Sequence, residues 1–170
     1  RRLVVLGTGL ALLLLLALAT ALVARANQAL DSIDHLDTSV SAPVRHLNET
    51  LDANAAGQME LLRAASSTGT TRSDFLARSI GTGEATAKAW TSYERVATRL
   101  PGAAALEARY RRDHAAGKQI AADVAIPILQ SSAPAILPDA QLAAAEGQRE
   151  DLLALRRLYE ADAKRVLASL

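Results

Sequence analysis

The chain has 170 residues, no cysteine and a formal net charge of +1, and 50% of its residues are hydrophobic although only 3% are aromatic. The absence of cysteine excludes disulfides and thiolate metal sites, and the near-zero net charge gives no electrostatic footprint for nucleic acid. Alanine and leucine supply much of the hydrophobic fraction, and because both favour helices over strands we expect an all-α protein.

The N-terminal part of the chain contains a long uncharged run. Residues 3–24 carry no ionisable side chain, and at about 1.5 Å per residue a helix of this length spans the roughly 30 Å hydrocarbon core of a bilayer. The run therefore predicts a transmembrane helix. Arg1 and Arg2 before it, against Arg25 alone after it, slightly favour a cytoplasmic N-terminus and place residues 26–170 outside the cytoplasm.

A cleaved signal peptide is the alternative interpretation of this run. Small residues at positions 17–19 and 24–26 resemble cleavage sites. The apolar run is longer than the roughly 7–15 residues of a usual signal peptide. This length favours an uncleaved membrane anchor as a first domain of residues 1–25.

Residues 26–66 are predicted to form one long helix that continues the membrane span. No Gly–Pro cluster interrupts this stretch before Ser66. Pro43 removes one backbone hydrogen bond, so we expect a kink at residues 39–43 rather than a break. Residues suited to one inward face recur every three or four positions, namely Leu30, Ile33, Leu36, Val40, Val44, Leu47, Leu51, Ala55, Gln58 and Leu62.

Three shorter helices are predicted after a polar turn. Thr71 and Asp74 resemble a capping box at the start of the second helix, and Pro101 marks its end. Pro127 is expected to kink the third helix, and Asp139 to cap the fourth. The predicted bounds are about residues 73–100, 103–131 and 139–170.

Each of these helices has a predicted inward face and a charged outer face. The inward positions are Leu76, Ile80, Ala87, Trp90, Ala97 and Leu100 in the second helix, Leu106, Tyr110, His114, Gly117, Ile120 or Ala121, Val124 and Ile128 in the third, and Leu142, Leu152, Leu155, Tyr159, Val166 and Leu170 in the fourth.

Four sequential helices joined by short connections pack in an up-down-up-down order. Residues 26–170 are therefore predicted to form an antiparallel four-helix bundle that continues directly from the N-terminal transmembrane helix. Because the fourth helix runs back towards the membrane, we expect a second transmembrane helix after Leu170.

This arrangement resembles the four-helix-bundle sensor domain of bacterial transmembrane receptors, chiefly methyl-accepting chemotaxis proteins and related histidine kinases. The resemblance rests on the apolar run leading into LDSIDHLDTSV, the LLRAASS end of the first helix and the LRRLYEADAKRVLASL return. It implies a periplasmic domain, anchored in the bacterial inner membrane, that senses a ligand or partner and transmits helix displacement to a cytoplasmic output module. It also implies a homodimer through the first and fourth helices.

Arginines gather at the membrane-distal end of the predicted bundle. A guanidinium offers a rigid two-pronged donor that suits carboxylates, so we expect a small carboxylate or amino acid as ligand, with a periplasmic binding protein as the alternative partner. Some receptors of the resembling family hold an amino acid through arginines at the distal part of the first helix, where Arg63 lies. Solvated surface arginines are the simpler interpretation. The candidate ligand-binding residues are Arg63, Arg72, Arg78, Arg149, Ser66 and Thr70.

Other candidate groups have simpler structural interpretations. His46 and Glu49 reverse the spacing of the Glu-x-x-His di-metal motif, and the sequence has no second copy. His114 is expected to be a hydrogen-bonded core residue rather than a pH sensor. Either a divalent cation or an ordinary charged helix face fits the cluster Asp31, Asp34, His35 and Asp37.

No enzymatic activity, metal site or cofactor is predicted. The sequence contains no nucleophile–base pattern, phosphate-binding loop or paired acid site, and its few aromatic residues are expected to fill the bundle. Two other functions stay open. One is a membrane-anchored helical scaffold that senses nothing, and the other is a secreted helical bundle released by signal peptidase.

Overall fold

The protein is helical along the part of the chain that the structure describes. This structure is a computed structural model, which describes residues 2–131 and 135–168, with side chains from residue 17 onward. All regular secondary structure in these residues is helical, which confirms the predicted all-α class. Helix one consists of Arg2–Leu36, then a π-helical turn at Asp37–Ser41, then Ala42–Ala65. Helix two is Gly69–Val96 and helix four is Asp139–Ala168. Helix three consists of Ala103–Ile120, then a π-helical turn at Ala121–Ala125, then Ile126–Gln130.

Helices one and two run antiparallel. At the end of helix two, Thr98 Oγ1 donates a hydrogen bond to the carbonyl of Ser39 at 3.0 Å. At the start of helix two, Arg72 Nε donates to the carbonyl of Ala64 at 3.1 Å. We call the end that contains Thr98 the base of the bundle, and the end at which helices one and two join the tip.

Helices three and four pair in the same antiparallel way. Arg109 in helix three bonds Asp151 in helix four, and the later helix-three residue His114 faces Gln148, which comes earlier in helix four. Helix four then returns along helix one, where His35 Nε2 and Asp162 Oδ2 lie 3.7 Å apart near the base. Helix one continues past the base as an exposed rod over residues 17–28.

The predicted membrane span gains no support from the structure. Among the described residues, no helix combines the length and the apolar character needed to cross a membrane. Residues 3–16 of the predicted span belong to helix one, but their side chains lie outside the described part of the chain.

Both helical prolines follow a π-helical turn. Pro43 and Pro127 each come two residues after such a turn. At the first turn, the backbone N–H of Ala42 bonds the carbonyl of Asp37, five residues back. Proline cannot donate to the carbonyl four residues before it, and for Pro43 that carbonyl is Ser39. The hydroxyl of Thr98, which lies just after helix two, supplies the missing donor, so the predicted kink is a π-helical turn braced by the connection between helices two and three.

Helix two begins and ends four residues before its predicted bounds. The capping-box prediction for Thr71 is wrong, because Thr71 lies inside the first turn and the extended residue Thr68 precedes the helix. Gly69 reverses the chain there with a φ of +58°. At the other end, Ala97 is extended, and the carbonyl of Thr98 accepts a 2.9 Å hydrogen bond from Tyr159 Oη. The hydrogen bonds of Thr98 with Ser39 and Tyr159 keep residues 97–100 out of helix two, which therefore ends before Pro101.

Several predicted inward positions are wrong. In helix two the inward face includes Arg72 and Thr86, and a pattern that counts apolar residues does not recognise such a face. Leu170 lies outside the described residues. The predicted positions that the structure exposes are Leu30, Ile33, Ala55, Leu62, Ile80, Ala87, Val124 and Leu142.

The buried apolar side chains form two clusters rather than one continuous core. The base cluster contains Val40, Leu47, Trp90, Tyr93, Ala103, Tyr110, Leu152, Leu155 and Tyr159. The tip cluster contains Leu61, Ala64, Leu76, Ala125, Leu129 and Leu137. Polar side chains occupy the bundle interior between them.

Candidate functional site

A polar layer separates the base and tip clusters. Its two threonine hydroxyls are satisfied within their own helices, by the carbonyl of His46 at 2.7 Å and that of Thr82 at 2.9 Å. Buried polar groups in folded proteins nearly always have such partners. The buried polar side chains of this layer are Thr50, Thr86, Gln141, Gln148 and Asp151.

A cavity of about 110 Å³ lies in the polar layer and is bounded by all four helices. On this measure a single water needs only about 10–15 Å³, so the cavity has room for several waters. Its lining includes Asn54, Gly57 and Gln58 of helix one, Ser79, Gly83 and Thr86 of helix two, His114, Gly117 and Lys118 of helix three, and Gln141 and Gln148 of helix four.

Glycines shape the walls of this cavity. A Cβ at Gly117 would lie 2.5 Å from Gln148 Nε2, and a Cβ at Gly57 would lie 2.8 Å from Thr82 Oγ1. These two glycines therefore allow neighbouring helices to approach closely. A Cβ at Gly83 would meet no other atom within 4 Å, so Gly83 borders open space in the cavity.

The hydrogen bonds around His114 determine which of its ring nitrogens carries the proton. Gln148 Nε2 donates to the carbonyl of Asp113 at 3.2 Å, which leaves Gln148 Oε1 facing His114 Nδ1 at 3.4 Å. Because Oε1 only accepts, Nδ1 is the donor and Nε2 of the neutral ring is an acceptor. Burial lowers the pKa of His114. The hydrogen bond to Gln148 opposes this decrease, and the charge of Lys118 adds to it. The imidazole is therefore neutral at pH 7.

Two carboxamide oxygens in the cavity wall have no hydrogen-bond partner within the described part of the chain. They are Oε1 of Gln58 and Oε1 of Gln141, and the Gln141 residue is only 3% exposed. A buried acceptor without a donor costs about 1–3 kcal/mol. Both oxygens are fully buried, so they weaken the fold and do not face the open space of the cavity.

Two grooves reach the cavity from different sides of the bundle. A groove of about 550 Å³ lies between helices one and four and shares Asn54 and Gln58 with the cavity lining. A second groove of about 410 Å³ lies between helices two and three and shares Gly83, His114 and Lys118. The cavity therefore has possible entrances on two sides.

A charged pair forms the base side of the polar layer. Asp151 is buried and bonds Nε of the half-exposed Arg109. Burial raises the pKa of Asp151 above its ordinary value, and the Arg109 guanidinium opposes this rise. The pair links helices three and four just on the base side of the cavity.

The structure gives Arg63 and Arg149 acidic partners on their own helices. Arg63 Nη1 bonds Glu60 Oε1 at 2.7 Å, and Arg149 Nη1 bonds Glu146 Oε1 at 2.9 Å. Both side chains are more than half exposed. Arg149 lines the groove between helices one and four, which places it outside the cavity wall.

The other predicted site residues have different surroundings. Arg72 is buried and bonds backbone carbonyls at the tip, whereas Arg78 is exposed and lies 5.3 Å from the centre of the Phe75 ring. Ser66 Oγ donates to the Arg63 carbonyl at 3.0 Å, and Thr70 is exposed. The four guanidinium groups thus have four different sets of neighbours instead of one shared pocket.

The acidic and histidine clusters do not gather into a metal site. His46 Nδ1 lies 2.7 Å from Glu49 Oε2 on the same helix, and His35 pairs with Asp162 across helices. Over residues 17–131 and 135–168, no group of three or more His, Asp or Glu side chains comes together in a way that could hold a metal ion. The cation interpretation of the Asp31 to Asp37 cluster therefore gains no support.

The aromatic residues fill the base of the bundle. Trp90 lies 4.9 Å from Tyr93 and 4.2 Å from Tyr110 between ring centroids. Tyr93 Oη donates to Glu107 at 2.8 Å across to helix three. Burial raises the pKa of Tyr93 and of Tyr110, so both hydroxyls stay protonated.

The sequence predictions missed most of the cavity wall. His114 and Gly117 were expected to face inward, and both line the cavity. Gln141 and Gln148 were not predicted, although they precede Leu155 at intervals of seven residues. Positions seven apart share one helix face, so this spacing is the signal that could have placed both glutamines inside.

No protein-family model matches the chain, and no curated protein or solved structure matches it either. The resemblance to chemoreceptor sensor domains therefore stays a prediction from the sequence.

Proposed function

We propose that this chain is the sensing input domain of a bacterial transmembrane signalling receptor of the chemoreceptor type. The observation that carries the proposal is a polar cavity whose wall is built by all four helices. A molecule bound there contacts every helix at once. A ligand that binds one arrangement of the helices more tightly than another shifts the equilibrium towards that arrangement. The size of the shift is set by the difference between the two binding free energies.

Helices one and four are the proposed output of this domain. They lie side by side at the base, where His35 meets Asp162, and helix one continues past the base as a rod. In this proposal the apolar residues 3–24 anchor the rod in the inner membrane, and the periplasmic bundle works as a homodimer through helices one and four. A shift of helix four by 1–2 Å is of the size that such interfaces transmit.

A distance measurement tests whether ligands move helix four. Because the chain has no cysteine, spin labels can be attached only where cysteines are introduced. The pair Asp74→Cys and Lys164→Cys spans helix two at the tip and helix four at the base, and all substituted positions are exposed. The pair Asp74→Cys and Asp31→Cys is the matched reference for helix one.

The labelled 170-residue protein is screened in detergent against amino acids, organic acids, small neutral amides and divalent ions. A compound that raises the melting temperature by mass action is expected to change the Asp74–Lys164 distance by about 1–2 Å and to leave the reference distance unchanged. Binding without any change in this distance contradicts helix displacement. If no compound binds the folded protein, a membrane-anchored scaffold becomes the better interpretation.

A further inference from the structure

The inward face of helix one is displaced by one residue near the base. Leu30 and Ile33 are 63% and 58% exposed, whereas Ser32 between them is half-buried. Seven residues after Ile33, Val40 is buried. Positions seven apart in a continuous helix share one face, so Ile33 and Val40 should both face inward. The helix therefore changes its register between these two residues.

The π-helical turn at Asp37–Ser41 lies at this point and accounts for the displacement. The backbone N–H of Ala42 bonds the carbonyl five residues back instead of four, so the turn holds one residue more than an α-helical turn. One extra residue corresponds to about 100° of rotation at 3.6 residues per turn. The rod before the turn is rotated by this amount, which brings Ile33 into line with the exposed Ser41.

Pro43 and a contact at the base favour this π-helical register. In an α-helix the proline ring would clash with the carbonyl four residues back, which is that of Ser39. In the structure this carbonyl accepts a hydrogen bond from Thr98 Oγ1 at 3.0 Å. The same register holds His35 Nε2 at 3.7 Å from Asp162 Oδ2 of helix four, and a rotation of one residue carries His35 away from this partner.

Apolar burial favours an α-helical register instead. In a continuous α-helix Ile33 lies in line with Val40 and Leu30 lies in line with Val44, because these positions are seven and fourteen residues apart. Val40 belongs to the base cluster, and Val44 packs against it. Turning Leu30 and Ile33 onto this face removes apolar surface from water, which is favourable.

We propose that residues 37–41 form a register switch in helix one. The structure shows the π-helical register. In the second register the turn is α-helical, the rod before it is rotated by about 100°, and Leu30 and Ile33 face inward. Such a two-state element changes the face that the rod presents where it leaves the bundle. The inference goes beyond the proposed function, because no residue of the turn lines the cavity.

Thiol labelling measures which register is populated. The chain has no cysteine, so each introduced cysteine is the only thiol. Ile33→Cys is exposed in the π-helical register and faces inward in the α-helical one. Asp34→Cys is the matched control, because Asp34 is exposed in the structure and lies in line with the exposed Ser41 in the α-helical register. The rate of reaction with a water-soluble maleimide is measured on the 170-residue protein in detergent, after circular dichroism has shown each variant to be folded.

Pro43→Ala removes the residue that disfavours the α-helical register. Its backbone N–H also gives the Ser39 carbonyl a helical donor. With Pro43 in place, we expect the two cysteines to react at similar rates. In the Pro43→Ala background, labelling of Ile33→Cys is expected to slow at least about tenfold, whereas labelling of Asp34→Cys stays within about twofold.

A deletion separates rotation of the rod from other effects of the proline. Deleting Thr38 in the Pro43→Ala background takes out the extra residue, so the turn becomes α-helical while the rod keeps the rotation seen in the structure. Ile33→Cys is then expected to react as fast as with Pro43 in place. Protection in Pro43→Ala that disappears on deletion of Thr38 supports the switch. Unchanged labelling in Pro43→Ala, or protection that persists after the deletion, overturns it.

Discussion

Asp151 is a buried residue whose charge is costly to the folded state. It is 1% exposed, and one of its carboxylate oxygens, Oδ2, has no partner in the described residues. Arg109 bonds the other oxygen. Because burial raises the pKa of Asp151, the folded state binds this proton more tightly than the unfolded state. The contribution of Asp151 to stability therefore falls as the pH rises through its folded pKa.

Arg109→Ala removes the group that opposes this pKa rise. We expect the free energy of unfolding to fall by about 2–3 kcal/mol at pH 7.5, near the lower end for a broken buried ion pair because Arg109 is half exposed. At pH 4.5 the loss is smaller, since more of Asp151 is then protonated. Urea unfolding at both pH values measures the two losses.

Two further variants check the origin of this effect. Arg112→Ala removes an exposed arginine from the same helix and is expected to change stability by less than about 0.5 kcal/mol. Adding Asp151→Asn to Arg109→Ala removes the unpaired charge and is expected to restore most of the stability at pH 7.5. An equal loss at both pH values would show that Arg109 acts through packing instead of charge.

The helix elements depend on bonds that cross between helices. Thr98 Oγ1 bonds the Ser39 carbonyl, which Pro43 leaves without its usual helical donor. Thr98→Val keeps the shape of the side chain and removes this bond, so we expect a loss of about 1 kcal/mol in unfolding free energy. In a Pro43→Ala background the backbone N–H of residue 43 can serve the same carbonyl. Thr98→Val is then expected to cost clearly less, and a double-mutant cycle measures the difference. The same cost in both backgrounds would contradict this account of the kink.

Arg72 holds three helix ends together at the tip. Its Nε donates to the carbonyls of Ala64 and Ser67, at 3.1 and 2.7 Å, and its Nη1 donates to those of Ser131 and Leu129, at 2.8 and 3.4 Å. The last carbonyls of a helix have no partner of their own. One buried guanidinium therefore caps helices one and three from the start of helix two.

Arg72→Met is expected to lower the free energy of unfolding by about 3 kcal/mol, because it removes a buried guanidinium that bonds four carbonyls at the tip. Hydrogen exchange should accelerate most at amides near Ala64 and Leu129, which lie in the tip. Arg78→Met on the same helix removes an exposed arginine over an aromatic ring and is expected to cost less than about 1 kcal/mol. Uniform acceleration along the whole chain would argue against a local role for Arg72.

The sequence predicts where the helices lie better than it predicts which residues of each helix face inward. Proline and glycine positions indicate where the chain turns, because their backbone limits are local. The ends of helix two were missed because tertiary bonds at Thr98 decide where it stops. The inward face of helix two was missed because Arg72 and Thr86 are buried, and their burial depends on partners that hydrophobic periodicity does not register.

In the whole molecule, the polar layer divides the bundle into two unequal halves. The base cluster contains Trp90 and the three tyrosines, whereas aliphatic residues make up the buried part of the tip cluster. Larger apolar burial gives the base the greater share of stability. The tip is therefore expected to open at a lower free energy than the base.

The cavity itself could not be located from the sequence. Its wall takes residues from all four helices, so it depends on how the helices rotate and pack against one another. The arginines that were predicted as a binding site have the same charge and lie at a similar distance along the bundle, but their partners differ. Arg72 bonds backbone carbonyls, whereas Arg149 pairs with an acidic residue on its own helix. The buried glutamines lacked any marker except their heptad spacing.

Gln141 affects the stability of the whole bundle through the polar layer. An unpartnered buried carboxamide weakens the fold, so Gln141→Leu is expected to raise the free energy of unfolding by about 1 kcal/mol and to join the base and tip clusters. The unfolding transitions followed by Trp90 fluorescence and by circular dichroism should then coincide more closely than in wild type. A more stable protein would show that the unpartnered carboxamide of Gln141 weakens the fold. A less stable protein would instead make Gln141 a structural residue, since its carboxamide then supports the packing of the layer.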